Sequence, residues 1–216
     1  MNKRKRKRYR QLFLLLAIMA VFTGLMRITE EFKAPSGTSS YIQDSFSGVK
    51  KYAPELEQEL KKFNLESYTP VLIALMQQES KGMGNDPMQS SESAGLAPGK
   101  ISTPRESIIQ GVRHFNRIVS LGRKKGVDFP TIIQAYNMGS GYISYVSENG
   151  GRHSEELAKR FSGLQVKKDP DLYNCRGDKN NFRYPYCYGD FTYSSKVFKN
   201  LDLIAQDFPF DKKIIQ

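Results

Sequence analysis

Six consecutive apolar residues at 71–76 follow Thr69 and Pro70 and leave their segment without a polar face. Thr69 suits an N-cap, and Pro70 suits the first helical position, where a missing N–H costs nothing. The spacing predicts a helix from Thr69 towards the glycines at 82 and 84. A helix that is apolar all round belongs in a protein interior. Strand signals are weak elsewhere and no internal repeat is visible, so the expected fold class is mainly α.

Other segments read the same way. Residues 54–63 suit a short amphipathic helix with Leu56, Leu60 and Phe63 on one face. Thr103, Pro104 and Glu106 make a capping-box signature. Ile108, Val112, Phe115 and Val119 then recur at helical spacing, Ile109 and Leu121 widen the stripe, and Gly126 is a natural stop. A further helix is expected after Phe129 and Pro130, including Ile132, Ile133 and Tyr136. It breaks at Gly139, Ser140 and Gly141 and resumes over 142–146. Ser154 suits the cap of another short helix reaching Phe161, and residues 194–208 suit a last one.

The net charge is +11 over 216 residues, and seven of the positive charges fall within positions 3–10. Residues 12–26 follow with no charge at all. A basic block, an apolar run and a polar continuation together mark a signal peptide or signal anchor, with everything after it exported. No small-x-small cleavage site stands out after the run and no Cys follows it, so an anchor is favoured over a cleaved signal or a lipoprotein. The expected organisation is a basic tail and signal anchor over 1–28, a linker over 29–44 that contains the polar stretch 35–40, and a folded domain over 45–210. With most of the charge ahead of the export segment, no nucleic-acid partner is expected.

Cys175 and Cys187 both fall in the exported part, where a disulfide is the expected state and two free thiols are the alternative. His114 and His153 belong to no ligand-spaced cluster. No metal and no cofactor are implied, and the sequence names no protein partner.

Glu79 shares a helical face with Leu72, Leu75 and Met76. A carboxyl there, at the C-terminal end of a buried helix, is partly desolvated and faces the negative end of the helix dipole. Both effects raise its pKa, as a general acid near neutral pH requires. The plain alternative is a structural Glu turned to solvent. Asp86 lies beyond the glycine break, where a returning loop can bring a second carboxylate across a cleft. Paired carboxyls in different environments are the equipment of glycoside cleavage; an Asp before Pro87 is also an ordinary turn residue. The polar run 86–93 suits either sugar recognition or a surface loop. Tyr136 and Asn137 precede a Gly-x-Gly break that either admits a ligand or simply turns the chain. The aromatic stretch from Tyr173 to Tyr193 suits a wall of the glycan cleft, although closely spaced tyrosines more often pack a loop onto a helical core.

Taken together, Gln77-Gln78-Glu79-Ser80, the loop Asp86-Pro87-Met88-Gln89-Ser90-Ser91-Glu92-Ser93 and Ala135-Tyr136-Asn137-x-Gly139 resemble the lysozyme-like family of bacterial cell-wall hydrolases. That family includes the muramidase half of hydrolases carried by conjugative elements and is related to the lytic transglycosylases. The resemblance spans residues 45–205 and implies a goose-type lysozyme or transglycosylase-like helical domain. By the same resemblance Glu79 is the acid and Asp86 the second carboxylate. Gln89, Tyr136 and Asn137 bind or orient the sugar, with Ser91 and Glu92 as further candidates.

Glu79 and Gln89 are only ten positions apart, and the Gly-Ala-x-Gly-Leu run of typical transglycosylases is missing between them. That departure favours the lysozyme-like branch. The conjugative-element relatives continue into a peptidase domain, for which the residues after 210 are too few, so glycan cleavage alone is expected. The implied activity is cleavage of the β-1,4 bond between N-acetylmuramic acid and N-acetylglucosamine, with hydrolysis favoured. The alternatives are a transglycosylase leaving 1,6-anhydro ends, and a non-catalytic wall-binding or scaffold protein. The implied partners are peptidoglycan strands and, through residues 12–26, the cell membrane.

Overall fold

The central helix, α3, spans Thr69–Glu79, and every residue from Thr69 to Met76 is buried. Around it are α1 (Ser47–Lys50), α2 (Ala53–Lys61), α4 (Pro104–Lys125), α5 (Phe129–Met138), α6 (Gly141–Glu148), α7 (Glu155–Lys168) and α8 (Tyr193–Ile204). Short 3-10 turns join several of them, and no strand occurs among the described residues. This is a computed structural model, and it describes residues 46–215. The basic block, the apolar run 12–26 and the stretch 35–40 lie outside the described residues. No helix among the described residues is long and apolar enough to cross a membrane.

The core is the one the apolar spacing implies. Leu56 and Leu60 of α2, Leu72 and Leu75 of α3, and Ile108, Val112 and Phe115 of α4 have no exposed surface. α8 packs along α3, and α1 and α2 pack on it as well. Asn200 donates its side-chain amide to the carbonyl of Ala74 at 3.2 Å, tying α8 to α3. α4 and α8 both pack on α5.

Several boundaries differ from expectation. Thr69 is inside α3, not its cap: Tyr68 precedes the helix, and the Thr69 hydroxyl donates back to the Glu66 carbonyl at 2.7 Å. A 3-10 turn at Glu66–Tyr68 leads into the helix and replaces a side-chain cap. α2 ends at Lys61, so Phe63 lies beyond it and is only half-buried. Ile109 and Leu121 are half-buried on the flank of α4, while Ile118 and Gly122 complete its inner face. Thr103 accepts from the Glu106 N–H, but the Glu106 carboxylate takes the Ser102 hydroxyl instead of closing the capping box. Ser154 caps α7, which runs on past Phe161 to Lys168.

Candidate active site

Glu79 is the last residue of α3 and is half-buried. Its Oε1 accepts a hydrogen bond of 2.5 Å from the hydroxyl of Tyr193, the first residue of α8. The Glu79 pKa is raised from its ordinary 4.5 to about 7: burial dominates, the Tyr193 hydrogen bond pulls it down, and the nearby negative charge of Asp86 pushes it up. A carboxyl in this state holds a proton near neutral pH and can still release it.

The loop after α3 is tied down by Ser80. Its hydroxyl donates to the Pro87 carbonyl at 2.7 Å and accepts from the Gly82 N–H at 3.0 Å. Beyond it the chain winds around Asp86, which is only 4% exposed. Asp86 Oδ1 accepts from the Ser90 N–H at 2.9 Å, the Ser90 hydroxyl at 3.3 Å and the Ser107 hydroxyl at 2.6 Å. Its Oδ2 accepts from the Ser91 N–H at 3.0 Å and the Ser91 hydroxyl at 2.6 Å. Burial alone would raise the Asp86 pKa, but the bonds from Ser107, Ser91 and Ser90 outweigh it and hold the carboxyl below its ordinary value. Asp86 is therefore an anionic hub that shapes the loop, and its charge reaches Glu79 through the protein.

Met88, fully buried, anchors the same loop against α4. Only a glycine at 111 permits this, since a Cβ there would lie 2.7 Å from that of Met88.

The loop forms one side of a cavity of about 460 Å³ lined by Gln89, Glu92, Tyr136, Asn137, Tyr173 and Tyr188, among others. Four of the five expected sugar-binding residues thus meet in one place. Ser91 is the exception and corrects the sequence reading. It is 1% exposed, its hydroxyl donates to Asp86, and the same oxygen accepts from the Ile101 N–H at 3.0 Å, so it faces the loop interior.

Gln89 is exposed, with a left-handed backbone (φ 46) and its side-chain amide donating to the Asp86 carbonyl at 3.0 Å. Tyr136 offers ring surface to the cavity, while its hydroxyl donates to the Met88 carbonyl at 3.1 Å. Glu79 does not line the cavity. It is coupled to it through Tyr136, whose pKa is raised first by burial and then by the charge of Glu79.

Asn137 accepts the Asp190 N–H on its Oδ1 at 2.6 Å, holding the loop before α8 against α5. Gly189 makes that approach possible: its φ is 65, and a Cβ there would lie 2.8 Å from Asn137 Oδ1.

Sequence reasoning included Tyr193 in the aromatic stretch but missed its pairing with Glu79, which lies 114 positions away and gives no local signal. It passed over His114, which lines the cavity with its ring against Tyr136 at 4.8 Å. Burial, above all, lowers the His114 pKa to about 4, leaving the ring neutral at physiological pH. Cys175 and Cys187 are joined by a disulfide, their Cα atoms 5.1 Å apart. Among the described residues no group of three or more His, Cys, Asp or Glu is arranged to hold a metal ion.

A family model described as Lysozyme-like matches residues 47–201. The "Uncharacterized membrane protein YocA" of Bacillus subtilis is 52% identical over 165 residues, covering 76% of this chain and 72% of that protein. The "Bifunctional muramidase/DL-endopeptidase CwlT" of Bacillus subtilis is 39% identical over 120 residues, covering 56% of this chain but 36% of CwlT. Pneumococcal vaccine antigen A of Streptococcus pneumoniae is 31% identical over 180 residues, covering 78% of this chain and 87% of the antigen. A crystal structure of an NLP/P60-family lipoprotein-like protein from Staphylococcus aureus superposes with a TM-score of 0.62 at 34% identity, over 71% of this chain and about half (52%) of that one.

Proposed function

Given that this chain belongs to the lysozyme-like family, we propose that it cleaves the glycan strands of peptidoglycan at the β-1,4 bond between N-acetylmuramic acid and N-acetylglucosamine, with Glu79 as general acid. Cell-wall glycan hydrolysis in general follows from that membership and from the likeness to CwlT, named a muramidase. The choice of bond is what the likeness to the family implies, and the acid role of Glu79 is supported by one observation, its half-buried carboxyl with a pKa of about 7.

Protonated Glu79 gives its proton to the bridging oxygen as the C1–O bond breaks, and the departing sugar leaves as an alcohol. Tyr193 holds the carboxyl in place. The positive charge developing on the ring is stabilised by Asp86, which acts through its field and not by contact. Ionised Glu79 then takes a proton from the water that attacks C1, completing hydrolysis. Gln89, Glu92, Tyr136 and Asn137 bind the strand along the cavity, and the scissile bond lies beyond its edge, at Glu79.

One observation favours a second outcome. The two oxygens of Asp86 already accept five hydrogen bonds, so Asp86 is not free to hold a water beside C1. Capture by the sugar's own 6-hydroxyl, leaving a 1,6-anhydro end, needs only Glu79.

The proposed organisation keeps residues 1–28 as tail and anchor, 29–44 as linker and 45–210 as the catalytic domain outside the membrane. The name of YocA as a membrane protein accords with it.

Mass spectrometry of muropeptides released from purified peptidoglycan tests the proposal, with Glu79→Gln as control. Reducing N-acetylmuramic acid ends would mark a hydrolase, and ends lighter by one water a transglycosylase. No release by wild type, with the Glu79→Gln protein binding strands equally well, would replace the enzyme by a wall-binding protein.

A further inference from the structure

We propose that Tyr173 is a sugar-stacking platform of the glycan cleft, held in place by the Cys175–Cys187 disulfide, so that the redox state of this pair sets substrate affinity. The inference rests on the glycan-cleaving reading and adds a specificity-determining residue together with the device that positions it.

Tyr173 and Tyr188 both line the cavity that Gln89, Glu92, Tyr136 and Asn137 share. Their rings meet edge to face, with centroids 4.8 Å apart and planes at 89°. The two tyrosines are held very differently. Tyr188 is fixed to the helical body at three points. Its hydroxyl donates to the Met138 carbonyl at 3.0 Å, its N–H donates to the Ser162 hydroxyl at 3.1 Å, and its ring packs on Phe161. Tyr173 sits on the stretch after α7, where its neighbours Leu172 and Asn174 are exposed. The N–H of Tyr173 bonds only locally, to the Asp169 carbonyl at 3.1 Å.

Two residues after Tyr173, Cys175 is bonded to Cys187, the residue before Tyr188. The disulfide thus fastens the loosely held tyrosine to the firmly held one, closing a segment with a sequence separation of 12. The result is a rigid aromatic corner. Tyrosine suits this place because its ring offers a flat apolar face to sugar C–H groups while its hydroxyl stays wet. A cavity of about 460 Å³ lies within the ~300–1,000 Å³ of small-molecule sites, and one wall of it is this corner.

A dithiol reductant would deliver two electrons and two protons to the S–S bond. Two cysteine thiols form, and the reductant closes into its own disulfide. Tyr173 then keeps its contact with Tyr188 and its local bond to Asp169 but loses the covalent tie, and the exposed stretch carrying it regains conformational freedom that binding must remove again.

The experiment is isothermal titration of Glu79→Gln protein with a tetrasaccharide of alternating N-acetylglucosamine and N-acetylmuramic acid. The same titration is run on that background with Tyr173→Ala, Tyr173→Phe or Cys175→Ser/Cys187→Ser, and after dithiothreitol. Tyr173→Ala, the double Ser variant and reduction should each weaken binding about tenfold, and Tyr173→Phe should bind like the parent. In the enzyme with Glu79 intact, reduction should raise KM and leave kcat unchanged. The double Ser variant should ignore dithiothreitol, which separates loss of the clip from general damage. Unchanged affinity in Tyr173→Ala, or in the double Ser variant, would overturn the proposal and leave glycan cleavage standing. A parent protein that binds no tetrasaccharide would overturn both.

Discussion

Replacing Glu79 by Gln should stabilise the fold, and by an amount that depends on pH in a set way. Burial is the main reason the Glu79 pKa rises from 4.5 to about 7. A carboxyl with a raised pKa keeps its proton in the folded chain over a range where the unfolded chain has lost it. The wild type therefore loses stability as pH rises from about 4.5 to 7, and stays at the lower value above that. At about 1.36 kcal/mol per unit, the full effect is about 3 kcal/mol. Gln has the shape of the protonated acid, keeps an oxygen to accept from Tyr193, and never ionises.

At pH ~4 the two proteins should unfold alike. At pH ~8 the variant should be more stable by about 1–3 kcal/mol, with the change centred between those limits. Urea unfolding at intervals across this range reads the difference directly, since titrating groups not coupled to Glu79 are common to both proteins and cancel. A difference that stays flat over the range, or a wild type that gains on the variant as pH rises, would refute the buried acid. The test does not depend on the substrate, so it holds even if the glycan assignment fails.

Tyr193→Phe removes the one hydrogen bond that lowers the Glu79 pKa. The alkaline limb of its pH–kcat/KM profile should move up by about one unit while the plateau falls through lost orientation, and a downward shift would count against the assigned roles. Asp86→Asn puts an amide NH2 among five donors and should cost about 2–4 kcal/mol in urea unfolding. Because the Asp86 pKa is depressed, its contribution is present above the ordinary 3.8 and disappears as pH falls through the folded value. A variant of unchanged stability at neutral pH would contradict its place as the hub of the loop.

Much of the architecture could be read from local pattern. α3, α4 and α5 are strongly periodic or wholly apolar, and each helix interior depends on neighbours three and four positions away. Ends were harder. Thr69 looked like a cap because residue type alone cannot show that the preceding turn already carries the chain into the helix. Ser154 did cap α7, but the helix continues beyond Phe161 to Lys168, an end that no residue type in the sequence marks.

The site divides the same way. Position on a buried helix was enough to mark Glu79 as a carboxyl under desolvation, and the Asp86 to Ser93 run and the Tyr136-Asn137 pair marked the segments that meet at the cavity. Which side chains of those segments face a ligand was decided by tertiary packing. Ser91 and Glu92 are adjacent, yet one is buried under Asp86 and the other is exposed at the cavity, because the loop is wound around a carboxylate whose donors include Ser107 of α4. Tyr193 reached Glu79 only when α8 lay along α3. Helical periodicity is a short-range property and is written in the sequence. A pKa of about 7 and the aromatic corner of the cleft depend on contacts between residues far apart in sequence, and those exist only once the core has closed.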